Sequence, residues 1–351
     1  MSDIKPLVLV TGGTGFLAKW VLAKLLLSST YRIRTTLRTP SREPEIKSSL
    51  AEAGVPGSAI QNLHFAVTDL LHDTNWADAM TDVTYVLHIA SPFPSEVPKD
   101  ENEIITPAVE GTKRVLRFAK EAGVKRVVVT SSVAAIAWGH AKTKTVFTEE
   151  DWTDLSSGVN VGAYMKSKTL AEKAAWDVMQ TYKEEGSIME MVSINPVNIY
   201  GPALGKEDGT SLRAISELLS GNAPGIPRVQ WGVVDVRDCA DLHILAMTHE
   251  KAAGERFICI GEGALWMGDI AKILKEKLGE KAKKVPTMGL PDFVVKLVAL
   301  VMPVAKMIVP DLGVEREMSC GKARERLGWQ WRYSSEQAVV SGAESLIRFG
   351  F

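Results

Sequence analysis

Cysteine is scarce in this chain, with three residues in 351, Cys239, Cys259 and Cys320. Their odd number and wide spacing, without any Cys-x-x-Cys or Cys/His ligand pattern, exclude a disulfide framework and a zinc site and predict buried, reduced thiols. An excess of either charge is also missing. Lys+Arg 41 against Asp+Glu 42 gives a net charge of −1, and no basic stripe is available for nucleic acid. No Asn-x-Ser/Thr acceptor occurs, in keeping with a cytoplasmic protein. The first apolar run, Leu7–Val10, begins too early to leave room for a signal or transit peptide. Long hydrophobic runs are lacking as well. The most apolar stretch, Leu290–Val309, is interrupted by Asp292, Lys296, Pro303 and Lys306. Its longest uncharged run is about half of the ~20 residues that a membrane span needs. It is expected to be amphipathic and to pack on the substrate side, with no integral membrane span.

What is present is an ordinary globular balance, 46% hydrophobic and 24% charged, in a chain long enough for one large domain or two unequal ones. Short runs rich in Val, Ile and Leu read as buried parallel strands: Leu7–Val10, Ile33–Leu37, Leu63–Val67, Tyr85–Ala90, Val127–Thr130 and Met191–Ile194. Helical patterns lie between them, among them Leu17–Ser28, Ile105–Ala122 and Ala163–Glu185. Repeated β-then-α order predicts an α/β fold, a Rossmann-type doubly wound parallel sheet with a smaller, mostly helical substrate-binding lobe. The expected division is a dinucleotide-binding domain over 1–199 with a returning segment near 228–260, and a substrate lobe built from 200–227 and 261–351. One more strand is expected at Arg256–Ile260 and an amphipathic helix near Glu336–Arg348.

The first strand runs into Thr11-Gly12-Gly13-Thr14-Gly15-Phe16-Leu17-Ala18, and a helix follows. Gly13-x-Gly15-x-x-Ala18 fits the dinucleotide fingerprint with Ala in its permitted last place. Glycine lets the backbone turn tightly and approach a pyrophosphate, which the free amides at the helix start then bind. A plain turn would explain one glycine but not three at this spacing. The second strand ends Thr35-Thr36-Leu37-Arg38, with Arg42 and Lys47 beyond it and no acid before Glu43. An acid there would hold the ribose hydroxyl of NAD, whereas the planar fork of Arg38 suits the 2′-phosphate of NADP. NADP(H) is the expected cofactor, in preference to NAD.

Tyr164-Met165-Lys166-Ser167-Lys168 opens a long helix. Tyr164 and Lys168, four apart, share a helical face and can enter one cleft. Sharing a phenolic proton at pH 7 requires roughly 4 kcal/mol of stabilisation, toward which a neighbouring ammonium acts. At the end of a buried strand stands Thr130-Ser131-Ser132, where either serine hydroxyl can polarise a carbonyl.

With these motifs together, the chain resembles the extended short-chain dehydrogenase/reductases, and within them the group of dihydroflavonol reductases, cinnamoyl-CoA reductases and fungal aldehyde and ketone reductases. The likeness covers almost the whole chain. It implies Ser132, Tyr164 and Lys168 as catalytic residues, with Ser132 favoured over Ser131 by register. It implies cofactor contacts from Thr11, Gly12, Gly13, Thr14, Gly15, Phe16, Leu17 and Arg38, and from the adenine-side pair Asp69-Leu70. Ala90, Ser91 and Pro92 after the fourth strand, Tyr164 and Lys168 themselves, Pro196, Val197, Asn198 and Ile199 on the nicotinamide side, and Ser211 complete the set. The family's Asn-Val-x-Gly-Thr pattern appears here as Ala108-Val109-Glu110-Gly111-Thr112, without its asparagine. The implied activity is NADPH-dependent reduction of a small-molecule carbonyl to an alcohol by a monomer or homodimer with no metal. Two related activities, a 3β-hydroxysteroid dehydrogenase and a nucleotide-sugar epimerase or dehydratase, share the fold; Arg38 speaks against the epimerase. A regulator that senses NADP without chemistry is the non-enzyme alternative, and the presence of all three of Ser, Tyr and Lys opposes it. Asp235, Asp238 and Asp241 are read as flanking a helix start rather than binding metal. His243 and His249 are read as core or surface residues, and Trp231 and Trp266 as packing.

Overall fold

A computed structural model describes residues 5–91, 100–159, 161–206, 210–222, 224–300 and 308–350, with the side chains at 210 and 211 outside that set. Its strands in chain order are β1 (Leu7–Val10), β2 (Arg32–Leu37), β3 (Leu63–Val67), β4 (Val83–His88), β5 (Arg126–Thr130) and β6 (Val146–Phe147). They continue with β7 (Glu190–Pro196), β8 (Asn198–Tyr200), β9 (Gln230–Asp235), β10 (Arg256–Cys259), β11 (Gly263–Trp266) and β12 (Glu317–Met318). The first five helices are α1 (Phe16–Ser28), α2 (Glu43–Glu52), α3 (Gly57–Gln61), α4 (Trp76–Met80) and α5 (Asn102–Glu121). After them come α6 (Ala163–Glu184), α7 (Thr210–Ser220), α8 (Val236–Thr248), α9 (Met267–Leu278) and α10 (Asp292–Val298), then two helices at Gly321–Leu327 and Ser335–Phe349.

Seven strands form one parallel sheet in the order β10-β7-β5-β4-β1-β2-β3. Both faces are covered, and strand periodicity divides the apolar residues between them. Val8 and Val10 of β1, Val128 of β5 and Val192 and Ile194 of β7 join α1 and α8 on one side. Leu7 and Leu9, Val127 and Val129, and Met191 join α4, α5 and α6 on the other. This is the doubly wound arrangement that the alternation of runs predicted. From β1 the chain steps outward through β2 to β3, then crosses back to β4 on the opposite flank. The strand order therefore reverses between β1 and β4, and a crevice opens at their carboxyl ends.

A second sheet, ordered β11-β9-β8, joins β11 of the lobe expected to be mostly helical to β9, within the segment 228–260 expected to return to the dinucleotide-binding domain, and to β8 at the boundary between the two. Strand β9 pairs parallel with β8 and antiparallel with β11. These strands were not predicted. The sequence of β9, Gln-Trp-Gly-Val-Val-Asp, has no clean period of two and carries a glycine, and β8 is three residues long, too short for a pattern. Helices α7, α9 and Ser335–Phe349 cover the small sheet with Leu212, Ile215, Ile270, Leu274, Val339 and Leu346. The last helix starts on a capping box, in which Ser334 Oγ accepts from Gln337 N at 3.1 Å and Gln337 Oε1 from Ser334 N at 2.9 Å.

Among its described residues the stretch Leu290–Val309 is amphipathic, with Val295, Leu290, Ile308 and Val309 packed beside Val229 and Leu312. Val295 of α10 is buried, but Phe293 is 65% exposed and Leu300 is 82% exposed; residues 301–307 lie outside the described set. Among the described residues no helix is long and apolar enough to cross a membrane. All three cysteines are free and buried, and Cys239 and Cys259 adjoin across α8 and β10.

Candidate active site

The crevice at the ends of β1 and β4 is lined by the glycine turn. Gly12 has φ +71°, a left-handed conformation that a side chain would strain, and a Cβ there would meet Ala90 Cβ at 2.9 Å. At Gly13 a Cβ would meet Thr35 Oγ1 at 2.3 Å. The turn is thus pressed against β2 and the end of β4 with no room for side chains. Gly15 caps α1 without a side-chain hydrogen bond, and no acid occupies the first turn. The first-turn amides of a 13-residue helix are consequently left for an anion. A dinucleotide pyrophosphate fits this cradle.

Thr11 ties the turn to β4. Its amide donates to Leu87 O at 3.0 Å, and its hydroxyl accepts from Ala90 N at 3.0 Å. The same hydroxyl shares a hydrogen bond with His88 Nδ1, 3.0 Å away. Burial, aided by the nearby charge of Lys168, drives the His88 pKa down to about 3, so the ring is neutral. Asp69 folds back on its own loop, accepting from Leu71 N at 2.9 Å. Leu70 lies against Gly111, where a Cβ would stand 3.1 Å from its own Cβ, so the glycine of the Ala108–Thr112 segment lets α5 approach the loop. Arg38 is exposed at the end of β2. Nearby Arg42 is held by Glu45 at 2.8 and 2.9 Å, and Glu45 in turn accepts from the buried Lys19 at 2.9 Å. Pro196 closes β7, and Val197, Asn198 and Ile199 follow beside it, Val197 N donating to Cys259 O at 3.2 Å. Pro92 and the side chain of Ser211 lie outside the described residues.

Helix α6 brings Tyr164 and Lys168 to the crevice from the opposite face. Tyr164 hydrogen-bonds Ser132; burial nevertheless pushes its phenol above the ordinary tyrosine value. Lys168 Nζ donates to Ser91 Oγ at 3.2 Å, and burial pushes its pKa down to about 8, opposed by the charge of Glu172. The sequence predicts a phenol lowered by the neighbouring ammonium; in the structure burial outweighs the Ser132 hydrogen bond, and the phenol keeps its proton, the state a general acid requires.

The two serines separate clearly. Ser131 is buried and its hydroxyl donates to Glu172 Oε2 at 2.5 Å. Ser132 accepts from Ala134 N at 3.1 Å and turns its hydroxyl toward Tyr164 and Pro196 O, the latter at 3.5 Å. Sequence reasoning overlooked Glu172, Asn195 and Arg256, which lie beneath the site. The signal for Glu172 was available, since it extends the Tyr164, Lys168 spacing by another four residues. The three aspartates are all engaged. Asp235 caps α8 through Arg237 N at 2.8 Å, Asp238 accepts from Arg332 N and Tyr333 N at 3.0 Å, and Asp241 pairs with Lys24 at 2.8 Å.

A glycine turn at the reversal point of a doubly wound sheet, with Ser, Tyr and Lys gathered beside it, defines a dinucleotide-binding protein of the short-chain dehydrogenase type. Residues 8–261 match the NAD dependent epimerase/dehydratase family, and the chain belongs to that family, among its extended short-chain dehydrogenase/reductases. Cinnamoyl-CoA reductase CAD2 of Medicago truncatula is 34% identical over 296 residues, spanning 83% of this chain and 84% of its own. Dihydroflavonol 4-reductase of Zea mays is 34% identical over 282 residues, 79% of this chain and 75% of its own. Yeast methylglyoxal/isovaleraldehyde reductase Gre2, solved in complex with NADPH, is 26% identical with a TM-score of 0.79 over 98% of both chains.

Proposed function

We propose that the protein is an NADPH-dependent reductase that converts an aldehyde or ketone to an alcohol. The observation that carries this reading is the hydrogen bond between the Ser132 hydroxyl and the protonated Tyr164 phenol, one helical turn from Lys168 and beside the glycine turn. The reductase names of the relatives and the NADPH in the Gre2 complex support it.

NADPH, when bound, supplies hydride to the carbonyl carbon. The first-turn amides of α1, just past the glycine turn, would hold its pyrophosphate, and Arg38, exposed and basic, would take its 2′-phosphate. Ala90 and Ser91 line one wall, Pro196 to Ile199 the other. Ser132 and Tyr164 both aim hydroxyls at the position of the carbonyl oxygen, where negative charge develops as the carbon is reduced. A donor so placed contributes about 10²–10³-fold in rate. Tyr164 then gives up its proton to that oxygen, a further ~10²–10⁴-fold. Lys168 stabilises the phenolate left behind, because an ammonium four residues along the same helix face favours the charged form. Segments 200–227 and 261–351 form the lobe that closes over the substrate, and they decide which carbonyl enters.

The test is a panel of aldehydes, α-dicarbonyls, ketones and flavanonols, scored by NADPH oxidation and by the alcohol formed. Turnover of at least one class with NADPH is expected. Failure across the panel by protein shown to bind NADPH would refute the assignment.

A further inference from the structure

Burying a carboxylate is costly unless its oxygens are fully engaged, and Glu172 is 2% exposed. It stands one turn beyond Lys168 and two beyond Tyr164, on the same face of α6. Its Oε2 accepts the Ser131 hydroxyl at 2.5 Å and the Asn195 side-chain amide at 2.7 Å. Its Oε1 accepts Arg256 Nε at 2.7 Å and Trp176 Nε1 at 3.4 Å. The Asn195 amide also donates to the Ser132 carbonyl at 3.2 Å, so the carboxylate holds the Ser131–Ser132 turn directly at Ser131 and through Asn195 at Ser132. A cavity of about 20 Å³, roughly one water in size, is lined by Lys168, Glu172, Ser131 and His88.

Arg256 is itself committed to the scaffold. Its guanidinium stacks on Trp152 at 3.8 Å and donates to the carbonyls of Glu149 and Asp151 at 2.6 and 2.8 Å. An apolar pair of the same volume would often stabilise a fold as well as a buried ion pair does. The retained charge, placed beside the Lys168 ammonium and the serine turn, therefore points to the reaction.

We propose that Glu172 is a positioning residue of the site: it clamps the serine turn so that the Ser132 hydroxyl meets Tyr164, and it is the counter-charge of the Lys168 ammonium. This rests on the carbonyl-reductase reading. The titratable groups around the ammonium are Tyr164 and Glu172 on α6 and His88 on β4, with Arg256 of β10 behind Glu172. His88 is held neutral, at about 3. Burial drives the proton off Lys168 and Glu172 opposes that loss; removing the carboxylate charge lets the ammonium deprotonate at lower pH.

The experiment compares kcat/KM against pH for wild type, Glu172→Gln and Ser131→Ala, with NADPH affinity measured separately by fluorescence. Glu172→Gln is expected to lower kcat at least tenfold and to move the alkaline limb down by about one pH unit, with NADPH affinity within twofold of wild type. A uniform loss at every pH, or no loss, overturns the counter-charge role. Ser131→Ala, which changes no charge and remains informative if the glutamine variant fails to fold, is expected to lose about tenfold in kcat with the limb unmoved. Wild-type kcat in that variant overturns the clamp. Tyr164→Phe, run alongside, separates the two ideas. If it is inactive while Glu172→Gln behaves as wild type, only the positioning role fails; if it is fully active, the reductase chemistry fails.

Discussion

The strands of the large sheet and the segment 288–300 of the small lobe use apolar residues in opposite ways. Around the large sheet Leu9, Val86, Val127 and Ile194 have no exposed surface, and strand alternation sends each to one of two closed cores. In the lobe Met288, Phe293, Leu297 and Leu300 face outward, beside a small sheet that alternation does not mark. Every residue proposed to touch the reacting atoms stands on the first kind of structure: Ser132 after β5, Tyr164 and Lys168 on α6. The proposed chemistry, which needs fixed geometry, is thus seated on the over-determined part of the molecule.

Substitution at large side chains in each region breaks or sharpens this contrast. Trp76 on α4 is 1% exposed and donates from Nε1 to Asp69 O at 2.9 Å. Trp76→Ala is expected to cost about 3–5 kcal/mol in denaturant unfolding and to loosen the Asp69-Leu70 loop with it. Arg38→Ala comes next. If Arg38 holds the 2′-phosphate as proposed, the change removes a charge-assisted bond and should weaken NADPH binding by about 1.5–3 kcal/mol while leaving NADH binding nearly unchanged; equal losses for both cofactors in titration calorimetry would contradict that role. Activity against pH is a gentler probe. Lys168, pushed down to about 8, is charged and competent below that pH and loses its proton above it. Carbonyl reduction should be level below about pH 8 and decline about tenfold per unit beyond it. Smallest of all, Phe293→Ser in the lobe should alter stability by less than about 0.5 kcal/mol; a loss comparable to that of Trp76→Ala would erase the distinction between the two regions.

Legibility in the sequence follows the same division. The parallel strands, the glycine turn and the Tyr164, Lys168 pair are local patterns, carried by spacings of two or four residues that dihedral geometry imposes. The choice between Ser131 and Ser132 was not local. Neighbouring residues in extended backbone point to opposite sides, and only the partners waiting there, Glu172 and Tyr164, tell them apart. The spacing from Tyr164 and Lys168 places Glu172 on the same helix face, but its partners Ser131, Asn195 and Arg256, which give that position its meaning, stand 41, 23 and 84 residues away in the chain. The small sheet was hidden because β8 and β9 take their order from pairing with one another rather than from any periodicity of their own.

The most direct measurement is single-turnover reduction by Tyr164→Phe with saturating NADPH, beside a binding titration of the same sample. The account predicts NADPH affinity within a few-fold of wild type and a reduction rate lower by about 10²–10⁴. A rate near that of wild type, with the cofactor bound, would contradict it.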